Sequence, residues 1–422
     1  MSNLTTPLLG LVDVAITGHL GAAVYIAAIA VGGTMFNMLY WLFNFLRMGS
    51  SGLTAQAFGA GKKEQCDIIL FRASFIGLAI GLAMILLSRP LGDAILAFMD
   101  AEDATETLAR RYFSICIWGA PAVMLSYAFA GWFIGMQDSR SAMWTAIATN
   151  VVNIAVSLTL VRGLGWKIEG VATGTLVAQW TSAILGIIII CDKFRPKIGH
   201  LRQIFHRDDI IIFFRLNTDI FLRTCCLVAV TLWFTHAGAL QSPEILAANA
   251  ILLQLFMLFS CFMDGFAYAG EALSGKHYGS GDYGSLKSLI RALMLTGLVC
   301  AAIFSAIYFI AGQWFIDQLS DNAAVVATAC RYILWAVAIP LCGFAAFVWD
   351  GIFVGLTRTR AMLISMIMAV AVFFVLYFSL INRLGNSALW LAFNSYLLVR
   401  AGMQWVIWKR MSMDGCRSGH RD

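Results

Sequence analysis

Charge is what this chain has least of. Only 12% of its 422 residues are Asp, Glu, Lys or Arg, against roughly 25% in an ordinary soluble protein. Hydrophobic residues make up 60%, and the mean hydropathy is +0.80. Such a chain has too little polar surface to face water on all sides, which excludes a soluble globular protein. Reactive constellations are absent too. The ten cysteines include no CxxC pair, and Cys116, Cys225, Cys226, Cys261, Cys300 and Cys342 sit in apolar segments, where they read as small buried hydrophobes. The six histidines are scattered, with no HExxH and no Ser-His-Asp order, so no enzyme and no metal or organic cofactor is expected. The net charge of +6 does not indicate nucleic acid, because the cations stand at the ends of apolar runs.

What remains is a series of long uncharged runs. A bilayer-spanning helix needs about 20 apolar residues. Only helices and closed barrels satisfy the backbone in lipid, and continuous runs rather than ten-residue alternation select helices. The expected fold is an all-α polytopic membrane protein with twelve transmembrane helices in two pseudo-symmetric six-helix lobes. The spans fall near 1–18, 24–47, 68–88, 111–135, 142–161, 170–191, 209–236, 245–270, 289–312, 329–355, 361–381 and 387–408. The first is short and interrupted by Pro7, so it is expected to be truncated relative to a complete helix. The expected divisions are an N-terminal lobe over 1–195, a cytoplasmic linker over 196–208, a C-terminal lobe over 209–410 and a cytoplasmic tail over 411–422.

An internal echo supports the two lobes. Gly131-Trp132-Phe133-Ile134-Gly135 returns 220 residues later as Gly351-Ile352-Phe353-Val354-Gly355, with Arg140 matched by Arg360. At the same offset Phe58-Gly59-Ala60-Gly61 returns as Tyr278-Gly279-Ser280-Gly281, and Arg111-Tyr112 as Arg331-Tyr332. Repeats of this kind mark transporters. An even number of helices per half predicts parallel repeats with a substrate path between them. Gly279-Ser280-Gly281-Asp282-Tyr283-Gly284 fits GxGxxG but lacks a preceding strand, and the GxxxG pairs at 77/81, 131/135, 170/174 and 351/355 read as helix-packing faces.

The cations set the orientation. With the linker inside, seventeen of the 29 Lys and Arg fall in cytoplasmic segments, among them Lys62, Lys63, Lys193, Arg195, Lys276 and Lys409, against seven outside and five within spans. Both termini are therefore expected in the cytoplasm. The expected location is a bacterial-type inner (plasma) membrane.

Ionisable groups inside a bilayer are costly and usually serve a cavity or a partner. Asp13, in Leu8-Leu9-Gly10-Leu11-Val12-Asp13, is the clearest such carboxylate, and desolvation suits it to taking and releasing a proton. Asn150 and Asn153 share a helix face that Ser157 extends, and Thr173 and Thr175 lie in the next span. Either a polar pocket or interhelical hydrogen bonding fits these five. In the second half Asp219 and Arg223 stand at i and i+4, the spacing of a structural ion pair. Asp264 is the carboxylate expected to face a cavity, Glu271 lies roughly on its face, and Asp350 precedes the repeated glycine phrase.

The run Pro7 to Gly21, with Asp13 at its centre, resembles the first-helix signature of the multidrug and toxic compound extrusion (MATE) transporters. Leu46-Arg47-Met48-Gly49-Ser50-Ser51-Gly52, Asp264-Gly265-Phe266-Ala267-Tyr268-Ala269-Gly270-Glu271 and Asp350-Gly351-Ile352-Phe353-Val354-Gly355 are similar to its DNA-damage-inducible F (DinF) branch. The resemblance implies two six-helix lobes and export of organic cations or other toxic compounds in exchange for H⁺ or Na⁺ as coupling ion. The family's first-helix carboxylate falls on Asp13, its fifth-helix asparagine on Asn153 and its sixth-helix threonine on Thr175. Asn150, Ser157, Thr173 and Asp264 are the accompanying cavity candidates. Ser157 stands where many relatives carry an aspartate, and a single carboxylate weakens tight Na⁺ binding, since hard cations favour several charged oxygen ligands. The family's bend-forming proline would fall upstream of residue 1. The expected partners are a small cationic or amphiphilic substrate and the lipid bilayer, with no nucleic acid and a monomeric protein. The alternative is a flippase for a lipid-linked or amphiphilic substrate. It calls for a cation-rich cavity, and the first-half spans are poor in Lys and Arg.

Overall fold

Within lipid an apolar chain must close its hydrogen bonds locally, so its long runs become helices. The computed structural model describes residues 23–99, 103–197 and 206–418, and no strand occurs among them. The first expected span and Asp13 lie outside the described residues. Two compact units divide between Asn217 and Thr218.

The helices of the first unit are α1 (Ala23–Leu42), α2 (Phe45–Gly59), α3 (Lys63–Leu86), α4 (Ser88–Met99), α5 (Asp103–Cys116), α6 (Ala120–Gly135), α7 (Ser139–Leu158) and α8 (Ile168–Ile189). Helix α9 (Arg207–Ala239) begins in this unit and continues into the second. The second unit adds α10 (Pro243–Gly279), α11 (Tyr283–Leu319), α12 (Ala323–Gly355), α13 (Thr359–Leu384) and α14 (Asn386–Ser418).

Ten of the described helical stretches are long and apolar enough to cross a membrane. They overlap the second to eleventh expected spans in order, several running well past the expected ends. The twelfth, α14, is as long but carries Asn394, Arg400 and Gln404 within it, and it runs on to Ser418, eight residues beyond the expected lobe end at 410. Helices α10 and α11 have 37 residues each, or about 55 Å at 1.5 Å per residue, so they outreach a hydrocarbon core of about 30 Å. Their outer faces suit lipid: Phe309 and Ile310 are 69% and 82% exposed. Helix α4 corresponds to no expected span. It is a short amphipathic helix that buries Leu96 and presents Asp93 to Arg110, which also binds Glu106 at 3.0 Å.

The division of the units lies some ten residues beyond the expected linker, inside α9, because the first turns of α9 pack on the first unit. Phe213 joins its core, and Arg72 of α3 donates to Asp209 at 2.9 Å. That core is filled by Met35 and Phe36 of α1 and Tyr112 and Phe113 of α5, with Phe36 stacked on Phe113 at 5.0 Å between ring centroids. In the second unit Phe234 packs edge-on against Trp390 at 4.9 Å, and the Tyr308 hydroxyl donates to the Leu255 carbonyl at 2.7 Å.

Hydrophobicity does not drive helices together in lipid, so close backbone approach matters more. Here the sequence repeat becomes a structural one. A Cβ on Gly131 would meet the Arg47 carbonyl oxygen at 2.2 Å, and one on Gly351 would meet that of Ala267 at 2.1 Å. Gly135 lies against Ser51 and Thr54 in the same way as Gly355 lies against Glu271 and Ser274. Every partner is displaced by the same 220 residues as the glycines. The turns repeat as well: Gly61 and Gly281 have φ of 71° and 74°, and Gln137 and Thr357 have 62° and 53°. Left-handed backbone is free for glycine but strained for a β-branched threonine. Its retention at Thr357 shows how firmly the turn after Gly355 is held by the helices around it.

Candidate functional site

Each unit buries polar groups in apolar surroundings, and the two sets differ in kind. In the first unit Asn153 of α7 is 1% exposed and donates through Nδ2 to the Thr175 hydroxyl of α8 at 3.1 Å. The structure thus joins two of the sequence candidates. Ser157, one turn along α7, is fully buried against α8, where a Cβ on Gly174 would come 2.1 Å from its Oγ. The small residue at 174 is what lets the two polar faces meet. Asn150 and Thr173 are half-buried on the same two helices.

The set is incompletely paired. Asn153 Oδ1 and Ser157 Oγ are buried without a hydrogen-bond partner among the described residues, and the Tyr40 hydroxyl and Gln179, also buried there, face each other. Gln179 follows Thr175 by one turn of α8, and sequence reading missed both it and Tyr40. An unsatisfied buried polar atom costs roughly 1–3 kcal/mol, so the cluster is the most polar part of the first unit's interior left open among the described residues.

The second unit is rich in charge instead. Asp350 of α12 is 5% exposed, and its Oδ2 accepts from both Arg223 of α9 and Arg400 of α14. Its Oδ1 accepts from Gln404 Nε2 at 2.7 Å. The Arg400 guanidinium also lies over the Phe347 ring, 5.8 Å from its centroid. Two arginines on one carboxylate leave the cluster with a net charge of +1.

This arrangement corrects the expected ion pair between Asp219 and Arg223. Asp219 is half-buried and accepts from the Thr359 hydroxyl at 2.9 Å, at the first turn of α13. Arg223 turns inward to Asp350. The i,i+4 spacing placed the two side chains on adjacent parts of one face, but a stronger partner for each stood on a different neighbouring helix. Asp264 is half-buried on α10, while Glu271 on the same helix is 1% exposed. A further buried network, with Asn249 and Asn386 exchanging amide hydrogen bonds at 2.8 Å and Trp390 donating to Asn249 at 2.9 Å, ties α10 to α14. The nine described cysteines are free.

Two internally repeated units of membrane-length helices, each with polar groups buried within it, are the architecture of membrane transporters. Comparison with known proteins gives the family. The MatE family model matches residues 1–159 and again residues 219–379, one match in each half. DNA damage-inducible protein F of Escherichia coli is 35% identical over 416 residues, covering 98% of this chain and 90% of that protein. Multidrug export protein MepA of Staphylococcus aureus is 20% identical over 357 residues, covering 83% of this chain and 78% of that protein. A solved structure of MATE in the bent conformation shares the fold at a TM-score of 0.88 with 17% identity, over 99% of this chain and 94% of that one. The chain belongs to the multidrug and toxic compound extrusion family.

Proposed function

We propose that this protein is a secondary antiporter that exports organic cations or other toxic compounds in exchange for H⁺. The observation that carries the reading is the polar face of α7 and α8, where Asn153 Oδ1 and Ser157 Oγ lie buried without a hydrogen-bond partner among the described residues of the first unit. The proposal sets Asp13 opposite this face as the coupling carboxylate, with Asn153 and Thr175 orienting it. An amide oxygen that accepts and a hydroxyl that can accept or donate suit a carboxyl group that alternates between protonated and ionised forms, or a cation held in its place.

Ser157 favours H⁺ over Na⁺ as the coupling ion, because Na⁺ would find a single carboxylate among neutral oxygens. Coupling needs proton and substrate to differ in affinity between inward-open and outward-open states. Asp264 is kept as a secondary cavity candidate in the other unit. Both termini lie in the cytoplasm in this reading, and the protein acts as a monomer in a bacterial inner membrane. A relative named as a multidrug export protein supports the substrate class.

The test is efflux from proteoliposomes, with pH and Na⁺ gradients imposed separately and a panel of cationic dyes as cargo. A pH gradient alone is expected to drive efflux, and Asp13→Asn to abolish it. Retained pH-driven transport in that variant would remove Asp13 from the mechanism. Efflux that follows only the Na⁺ gradient would overturn the choice of H⁺.

A further inference from the structure

Two cavities of the first unit join at one buried arginine. The first, of about 540 Å³, lies at the turn between α2 and α3 and is lined by Lys62, Lys63, Glu64, Arg72 and Asp209 among others. The second, of about 390 Å³, continues from Arg72 along α3 past Phe75, Ile76, Ala79, Ile80 and Ala83, with Ile210 and Phe214 of α9 as its other wall. Apart from Arg72 at its upper end, the second is wholly apolar. Its rims, Phe75 and Phe214, are 53% and 52% exposed on helices long enough to cross the bilayer, so the groove opens to lipid.

Length and charge identify the occupant. From Arg72 to Ala83 the groove spans about 16 Å at 1.5 Å per residue, about half of a hydrocarbon core of roughly 30 Å. It is one leaflet deep, the reach of a single acyl chain. The polar cavity has three cations against two carboxylates. Arg72, its side chain 6% exposed, is held by Asp209 at 2.9 Å, whereas Lys62 and Lys63 stand exposed in the turn. The net charge of +1 matches one phosphodiester. The bias of Lys and Arg assigns this turn to the cytoplasmic side, where the leaflet carries anionic lipid that basic residues attract.

We propose that the first unit holds a resident anionic phospholipid of the cytoplasmic leaflet, its phosphodiester at Lys62 and Lys63 and one acyl chain in the groove between α3 and the first turns of α9. Arg72 and Asp209 close the junction between head and tail. The site is a binding site for a structural lipid and is independent of the transported compound.

Native mass spectrometry of the full delipidated chain tests this, with phosphatidylglycerol and phosphatidylcholine of equal acyl length added at equal concentration. Phosphatidylglycerol is expected to be retained preferentially. The double variant K62A/K63A should lower that preference about thirtyfold, the factor for two surface cations at about 1 kcal/mol each. Ala79→Trp, which fills the groove, should reduce retention of both lipids, and K287A, which removes a lysine of the second unit, should change neither. Equal retention of the two lipids, or an undiminished preference in K62A/K63A, would overturn the proposal. So would displacement of the lipid by inorganic phosphate, which would make the mouth a free-anion site with an idle groove.

Discussion

The buried Asp350 cluster makes an unequal prediction for its members. Removing the carboxylate by Asp350→Ala strands the Arg223 and Arg400 guanidiniums in an apolar interior, with like charges facing each other. Breaking a buried pair by removing one partner costs about 3–5 kcal/mol, and here two charges lose their partner at once, so Asp350→Ala should reach at least the top of that range. Arg400→Met is different. It leaves Asp350 and Arg223 as a neutral one-to-one pair, keeps the Gln404 bond at 2.7 Å, and preserves an unbranched chain against Phe347. Its cost should stay below the range. The triple variant Asp350→Ala, Arg223→Met, Arg400→Met removes all charge and should recover much of the loss, because uncharged packing often replaces buried ion pairs without penalty. Thermal unfolding in detergent, followed as loss of monodisperse protein on heating, would rank the variants: wild type and Arg400→Met close together, the triple variant next, Asp350→Ala lowest. A melting temperature for Asp350→Ala equal to that of Arg400→Met would refute the reasoning, since it would mean that the two arginines do not depend on the carboxylate.

Other expectations follow from the packing and from the turns. Gly131→Ala and Gly351→Ala each force a methyl group onto a backbone carbonyl 2.1–2.2 Å away and should each cost about 1–3 kcal/mol as overpacking, whereas Gly265→Ala, whose added carbon meets no neighbouring element within 4 Å, should cause no loss in the same melting assay. Asp138 sits in the turn before α7, where partial burial raises its pKa, but Lys193 at 2.6 Å and Ser141 outweigh this and hold the carboxyl below its ordinary value. The ionised form is therefore favoured by folding: its contribution is fully present above the ordinary carboxylate pKa of about 3.9 and is lost as pH falls through the lower folded value. The melting difference between wild type and Asp138→Asn should accordingly be constant from pH 7 to pH 5 and shrink under stronger acid; a difference that grows in acid would contradict the assigned sign.

Much of the architecture was legible because it depends on patterns the chain repeats. The glycine phrases at offset 220 read as packing faces, and the structure puts carbonyl oxygens of the facing helix at both. The spans themselves were legible from apolar runs, but several helices run well past the expected ends, and α4 was missed because a short amphipathic helix presents no such run. The candidate residues were legible in part. Asn153 and Thr175 meet because they lie on consecutive helices joined by a short loop, a relation that sequence order carries. Asp350, Arg400 and Gln404 belong to two helices separated by a third, with Arg223 on yet another. No local spacing links them, so the nearer Asp219 was matched with Arg223 by default. Gln179 and Tyr40 carried no charge to draw notice, and only their burial beside the α7–α8 face singles them out.

The matched close approaches have a consequence for divergence. Gly135 meets the Thr54 side chain and the carbonyl oxygen of Ser51, and Gly355 meets the Ser274 side chain and the carbonyl oxygen of Glu271; at Ser51 and Glu271 the contact is made to backbone. Backbone is the same whatever side chain hangs from it. After duplication, the helix crossing could therefore be kept while the residue presenting it drifted, so one copy now buries a hydroxyl at this place and the other a carboxyl group, 0% and 1% exposed. A joint of this kind inherits its geometry and leaves its chemistry open to change, which is how two copies of one bundle came to differ inside without coming apart.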